Sequence, residues 1–418
     1  MKKLLLSICV IALSCFLFHT ASIAAQVTVE KTADSGYTLY VNGEAFFAKG
    51  LIYNPTPIGS GYDYDFYSDP NKPWMVDGKL MQELGINCIR VYSAGKDLEK
   101  TKEFINDMYE NFGIYTIMSD WLGLWSYPAA NYADSTFQKK TEEEVLKIIE
   151  SLKNENGLLM WILGNENNYT FSGEIGFWTS PKIEKETEPF KKINKKAEIY
   201  YAFVNSLTSK IKEIDKNHPV ALGNGEANFL NIAAEICDNI DVLAIIIYRG
   251  KIFGNLFNNI QRTFDKPIFL SEFGCDSYDA YKEESNQAVQ GEFLLSQWTE
   301  VYNASTSSGN EKGNCIGGVT FEWNDEWWKH NQGYIQDWSV QNTEGGWSQG
   351  AYFFDNRVKN NLNMNEEWFG IVALDQELEN NINKRIPKES FYVLKELFAD
   401  FDKKNSTIKE INIPQENL

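Results

Sequence analysis

The fold class this sequence predicts is α/β: a (β/α)8 barrel preceded by a short β-hairpin. Three observations predict it. Eight short, nearly all-apolar runs recur along the chain, helical patterns lie between them, and 418 residues suit one barrel with long loops. Runs of that kind belong to parallel strands covered on both faces. No GxGxxG loop follows the first run, which disfavours a doubly wound open sheet.

Taken in order, Lys2 and Lys3 precede the apolar run LLLSICVIALSCFLF, and small residues close the segment at Ala21 to Ala25. Residues 1–25 read as a secretory signal peptide, since the run is short of the roughly 20 residues that span a bilayer. Residues 26–47 alternate apolar and polar side chains around Asp34-Ser35-Gly36 and Asn42-Gly43, a hairpin pattern. The barrel is placed at 48–402. Its strands are AKGLIY (48–53), NCIRVYS (87–93), IYTIMS (114–119), LLMWIL (158–163), PVALG (219–223), DVLAIIIY (241–248), PIFLSEF (267–273) and IGGVTFEW (316–323). The clearest helices are 98–113, stopped by glycine, and 141–155, opened by a capping box at Thr141 and Glu144. Further helical patterns cover 190–216, 284–302 and 387–400, and residues 403–418 are read as a tail. The connections at 120–140, after strand 3, and at about 324–386, after strand 8, are unusually long. Both follow strand ends, where barrels build their sites.

A formal charge of −19 makes nucleic acid and anionic membrane surfaces poor partners. Loss of the leader leaves Cys88, Cys237, Cys275 and Cys315, without CxxC spacing, as scattered core thiols able to form at most one or two disulfides. Only His218 and His330 remain beyond the leader, too few for a His-rich zinc site or for most catalytic triads, and no metal or cofactor is expected. Aromatic residues make up 14% of the chain. Many are tryptophans in polar surroundings, among them Trp121, Trp125, Trp178, Trp338, Trp347 and Trp368, and such rings suit the apolar faces of sugars.

Chemistry concentrates where two strands end. In LLMWILGNENNYTF (158–171) the fourth strand runs out at Gly164, and Glu166 follows among Asn165, Asn167 and Asn168. In KPIFLSEFGCDSY (266–278) the seventh strand ends at Glu272. Carboxylates at the same rim, half a barrel apart, converge across the mouth, as glycoside hydrolysis requires of its acid and its nucleophile. Asp120, after the third strand, and Glu226, in GNGE after the fifth, are further acids that suit sugar hydroxyls.

With these motifs and CIGGVTFEWNDEWW (315–328), the chain from about 36 to 400 resembles glycoside hydrolase clan A. The likeness is closest to the family 2 catalytic barrel, and it extends to clan A families acting on β-1,3-glucans, glucanosyltransferases included. The resemblance implies that Glu166 is the acid/base, Glu272 the nucleophile, and Asn165 the partner of the sugar 2-hydroxyl, with Asn167 beside it. It further implies that Arg90 and Tyr248 support Glu272 and that Trp323, with Trp327 or Trp328, stacks on the sugar. The expected protein is a secreted or periplasmic retaining glycosidase acting on a β-linked glucan or related oligo- or polysaccharide. Its mature form needs no membrane. A transglycosylase using the same site and a non-catalytic carbohydrate-binding barrel are the alternatives.

Overall fold

The computed structural model describes residues 24–279, 282–330, 332–343 and 364–411. Nearly all of the expected signal peptide lies outside these residues, as does Trp347. Strands β1 (Val27–Lys31), β2 (Tyr37–Val41) and β3 (Glu44–Phe46) form an antiparallel sheet, one strand more than a single hairpin. Both turn signals reverse the chain: Ser35 takes φ 70°, and Asn42 and Gly43 take φ 52° and 83°, the pairing that a tight two-residue turn demands.

The barrel begins with β4 (Ala48–Ile52), α1 (Pro73–Leu84), β5 (Cys88–Val91), α2 (Leu98–Phe112), β6 (Tyr115–Asp120), α3 (Ser135–Leu152) and β7 (Leu158–Leu163). Two single turns, α4 (Tyr169–Ser172) and α5 (Pro181–Glu184), lead to α6 (Pro189–Ile214), β8 (Val220–Gly225), α7 (Leu230–Ile236), β9 (Val242–Ile246), α8 (Leu256–Thr263) and β10 (Ile268–Phe273). A small ribbon, β11 (Tyr278–Asp279) and β12 (Glu284–Ser285), precedes α9 (Gln287–Asn303) and β13 (Cys315–Thr320). A hairpin, β14 (Val372–Glu379) and β15 (Ile382–Pro387), then leads into α10 (Glu389–Ile411). Strands β4 to β10 pair in parallel in chain order, and β13 closes the ring between β10 and β4. These are the eight runs read from the sequence.

Local signals explain most helix ends. Asp97 caps α2 by accepting from the Glu99 N–H, and Gly113 ends it in the left-handed region at φ 70°. The capping box at Thr141 does not form. Helix α3 starts earlier, where Asp134 accepts from the Thr136 N–H. Thr141 instead lies on the buried stripe with Val145, Ile149 and Leu152, because the apolar periodicity outweighs a local Thr-x-x-Glu match. Helix α10 runs on past residue 402, into the expected tail.

The core has two layers. One lies between barrel and helices and includes Ile89, Phe104, Leu163, Tyr201, Leu270 and Trp298. The other fills the barrel with Cys88, Ile117, Met160, Ile162, Ala244 and Phe269, and continues into Val27, Leu39 and Val41 of the N-terminal sheet. That sheet therefore plugs the amino end of the barrel. It is tied there by the Val27 N–H to Asn217 (2.7 Å), the Tyr37 N–H to Gly313 (2.8 Å), and the Tyr37 hydroxyl to Asp265 (2.8 Å). The four cysteines among the described residues are free and buried. With one end sealed, the carboxyl end is left for ligands.

Candidate active site

Strand alternation decides which side chains reach the mouth. On β5, Ile89 joins the outer layer while Arg90, next along, points into the barrel and is fully buried. Its guanidinium is used in full. Nε donates to Ser119 Oγ (2.9 Å), Nη1 to the Ser271 carbonyl (2.7 Å), and Nη2 to Asn165 Oδ1 (2.7 Å). Nη1 also stands 3.5 Å from Glu272 Oε1. This one residue thus ties together the ends of β6, β7 and β10.

Glu272 is almost wholly buried. Oε1 accepts from the Tyr92 hydroxyl at 2.5 Å and Oε2 from the Tyr248 hydroxyl at 3.1 Å. Burial raises its carboxyl above the ordinary range, and Arg90 and the Tyr92 hydrogen bond work against that rise. Glu166 is partly exposed at the same mouth. Burial first, then the charges of Glu272 and Glu366, push it up to about 8, and no hydrogen bond of the kind Glu272 receives offsets them. Two carboxyl groups thus face one space in different surroundings. One is bonded to two tyrosines and flanked by arginine, and the other is poised to hold a proton near neutrality.

Asn165 is buried, with its side-chain oxygen taken by Arg90, so the amide nitrogen is the end directed elsewhere. Asn167 does not face a substrate. It is fully buried, accepts from the Asn165 N–H (2.7 Å), and donates to the Trp121 carbonyl (2.9 Å) and to Tyr132 Oη (2.7 Å). Its amide is spent on shaping the chain around Glu166. Asn168 does the same one residue on, exchanging hydrogen bonds with Gly225.

Other expected residues have partners within the protein. Ser119 meets Arg90 inside the barrel, so Asp120, its neighbour on β6, falls on the helix side. There Asp120 accepts from the Leu122 N–H, and its electrostatic neighbours are Glu144, Tyr132 and Tyr200. Glu226 is clamped by Arg249, whose Nε stands 3.0 Å from both carboxylate oxygens. Trp323 is fully buried in the outer hydrophobic layer, where its N–H also donates to the Ile52 carbonyl and its carbonyl accepts from the Val372 N–H. No ring face is left for a sugar. Trp328 is nearly buried beneath Tyr62, and only Trp327 of the three keeps part of its surface open.

Tyr92 was missed, although it stands directly after the CIRV run that picked out Arg90. Its ring lies under the Arg90 guanidinium (4.9 Å) and stacks on Trp121 (4.6 Å, 16°). A second group, visible in the sequence as acids around the eighth strand but given no role there, is the cluster after β13. Glu322 is fully buried with neither carboxyl oxygen hydrogen-bonded, and burial raises its pKa well above the usual carboxylate range. Lys329 bridges Glu326 (3.2 Å) and Glu366 (2.8 Å). The FEWNDE run carried this signal, since four acids and amides within five residues after a buried strand must be sheltered or partnered.

A closed (β/α)8 barrel with one glutamate after the fourth strand and another at the end of the seventh is the arrangement found in enzymes that act on glycosidic bonds. Residues 19–336 match the family model of glycoside hydrolase family 72, glucanosyltransferase, and the chain belongs to that family. Two relatives come from Saccharomyces cerevisiae. The probable 1,3-beta-glucanosyltransferase GAS3 is 34% identical over 63% of this chain and 53% of its own length. The 1,3-beta-glucanosyltransferase GAS4 is 25% identical over 76% of this chain and 64% of its own. The chain therefore spans between half and two-thirds of these relatives. Among solved structures, ScGas2 in complex with a small compound superposes with a TM-score of 0.55 at 16% identity, covering 92% of this chain and 70% of that one. A family 2 beta-galacturonidase from Eisenbergiella tayi gives 0.55 at 16% identity, over 90% of this chain and 54% of that one. At such identities the likeness is one of fold.

Proposed function

We propose that the protein is a retaining β-1,3-glucanosyltransferase. The observation that carries the reading is the contrast between the two glutamates. Glu272, bonded by Tyr92 and Tyr248 beside Arg90, is the group equipped to attack an anomeric carbon. Glu166, pushed up to about 8, is equipped to deliver a proton to the departing glycosidic oxygen. In the first step the glycosidic bond breaks as the bond from Glu272 to the sugar forms. In the second, Glu166 takes the proton of an acceptor hydroxyl, whose oxygen displaces Glu272. One glycosidic bond is lost and one gained. The sequence suggested hydrolysis first, with sugar transfer as the alternative, and the names of the relatives favour transfer with a β-1,3-glucan as both donor and acceptor. The substrate is a polysaccharide met outside the cytoplasm, in keeping with the expected leader.

The test is incubation with β-1,3-gluco-oligosaccharides of one length and mass analysis of the products. Products longer than the starting material are expected. Shorter products alone would return the protein to hydrolysis, and binding without any product would make it a carbohydrate-binding barrel.

A further inference from the structure

Loop 121–134, which follows β6, is built in an uneven way. Leu122, Leu124, Ala130 and Tyr132 are buried, and their neighbours Trp125 and Tyr127 point outward, at 58% and 101% relative exposure. The loop is fixed in place. Asn167 donates to the Trp121 carbonyl (2.9 Å), the Tyr132 hydroxyl to the Leu122 carbonyl (3.1 Å), and Asn131 to the Thr179 carbonyl (3.2 Å). Two consecutive turns, Leu124 N–H to Trp121 and Ser126 N–H to Gly123, set the direction in which Trp125 projects. The next loop, after β7, comes alongside it at Ala129 and Gly176 and displays Phe177 at 71% exposure. Three large rings on anchored, adjacent loops cost solubility and contribute no core. Rings held ready in this way lose little freedom when a flat apolar partner arrives.

The row does not stand apart from the catalytic centre. It starts at Tyr92, whose hydroxyl holds Glu272, passes to Trp121 stacked on it at 4.6 Å, and continues to Trp125, edge-on at 6.4 Å. We propose that Trp121, Trp125, Tyr127 and Phe177 form an aromatic subsite for sugar units of the glucan remote from the bond being cleaved. Sugar rings present apolar faces to such a platform, and the exposed Trp125 is its main contact. The proposal rests on the glucan reading above, and it adds a requirement for chain length, because a substrate too short to reach the loop gains nothing from it.

The experiment compares Trp125→Ala, Tyr127→Ala and Trp125→Phe with the parent enzyme on an aryl β-glucoside and on β-1,3-gluco-oligosaccharides of increasing length. Both rings are exposed, so folding should be kept, and circular dichroism checks it. The expected result for Trp125→Ala is a drop in kcat/KM of about tenfold on the longest oligosaccharide, with the aryl glucoside unchanged and Trp125→Phe restoring most of the loss. An equal loss on short and long substrates, or no loss on either, would overturn the subsite. Affinity electrophoresis in gels containing β-1,3-glucan, β-1,4-glucan or mannan separates the two claims. If the parent enzyme turns over no β-1,3-glucan yet is retarded by another polysaccharide through Trp125, the catalytic reading fails and the subsite stands.

Discussion

The two glutamates differ chiefly in what touches them, and this fixes a pH dependence. Catalysis needs Glu166 protonated at the start, so kcat/KM should fall as pH rises through its pKa of about 8. Glu166→Ala should abolish that alkaline limb on an aryl glycoside whose leaving group needs no proton, and azide should then rescue turnover to the β-configured product. A product of α configuration, or an alkaline limb that persists in the variant, would remove Glu166 from the acid/base role. Glu272→Ala should lower turnover of every substrate by orders of magnitude. At this scale the sequence showed the residues of the centre more readily than the rim. Arg90 and Glu272 lie on strands, where alternation dictates direction, and Glu166 and Tyr248 follow strand ends within three residues. Asn167 and Trp323 lie past strand ends, where position alone does not reveal which neighbours will enclose a side chain, and Asp120, on β6 itself, stands one residue out of phase with the inward Ser119.

Among the elements, the eight barrel strands were legible because burial on both faces leaves a plain apolar signature. Several elements were passed over, α7 and α8 among them, and two others carry plain signals. Helix α1 carries proline at its first position and ends on Gly85 in the left-handed region, a clear start and stop. The β14–β15 hairpin turns at Asn380 and Asn381, with φ 54° and 63°, and was hidden inside what read as one long connection. The hairpin is fastened to the barrel by a buried ion pair, Lys388 Nζ to Asp325 Oδ1 at 2.7 Å, and the Asn324 backbone bridges directly to Val372. Asp325→Ala strands a buried ammonium and should destabilise the protein by about 3–5 kcal/mol. Asp325→Asn combined with Lys388→Met, which removes both charges of the pair, should recover much of that loss. Guanidinium unfolding of the three proteins measures it. Equal stability of the single variant and the parent would show that Lys388 is solvated some other way.

At the scale of the molecule, the described residues contain no helix long and apolar enough to cross a membrane and no cluster of potential metal ligands. What holds the barrel shut at its amino end is the small sheet of residues 27–46, and its hydrogen-bond partners sit far along the chain, at Asn217, Asp265 and Gly313. That arrangement has a consequence in time. A growing polypeptide can extend through β1, β2 and β3 long before those partners exist, so its leading segment has nothing to dock on until most of the barrel has been made. The plug cannot be secured before those partners are made, so the first described strands stay extended and accessible during much of synthesis. Ribosome-bound chains halted before residue 217 should therefore be cut by protease within residues 26–46, whereas released full-length protein resists there. Protection in the shorter chains would mean that the sheet finds its seat before the barrel does.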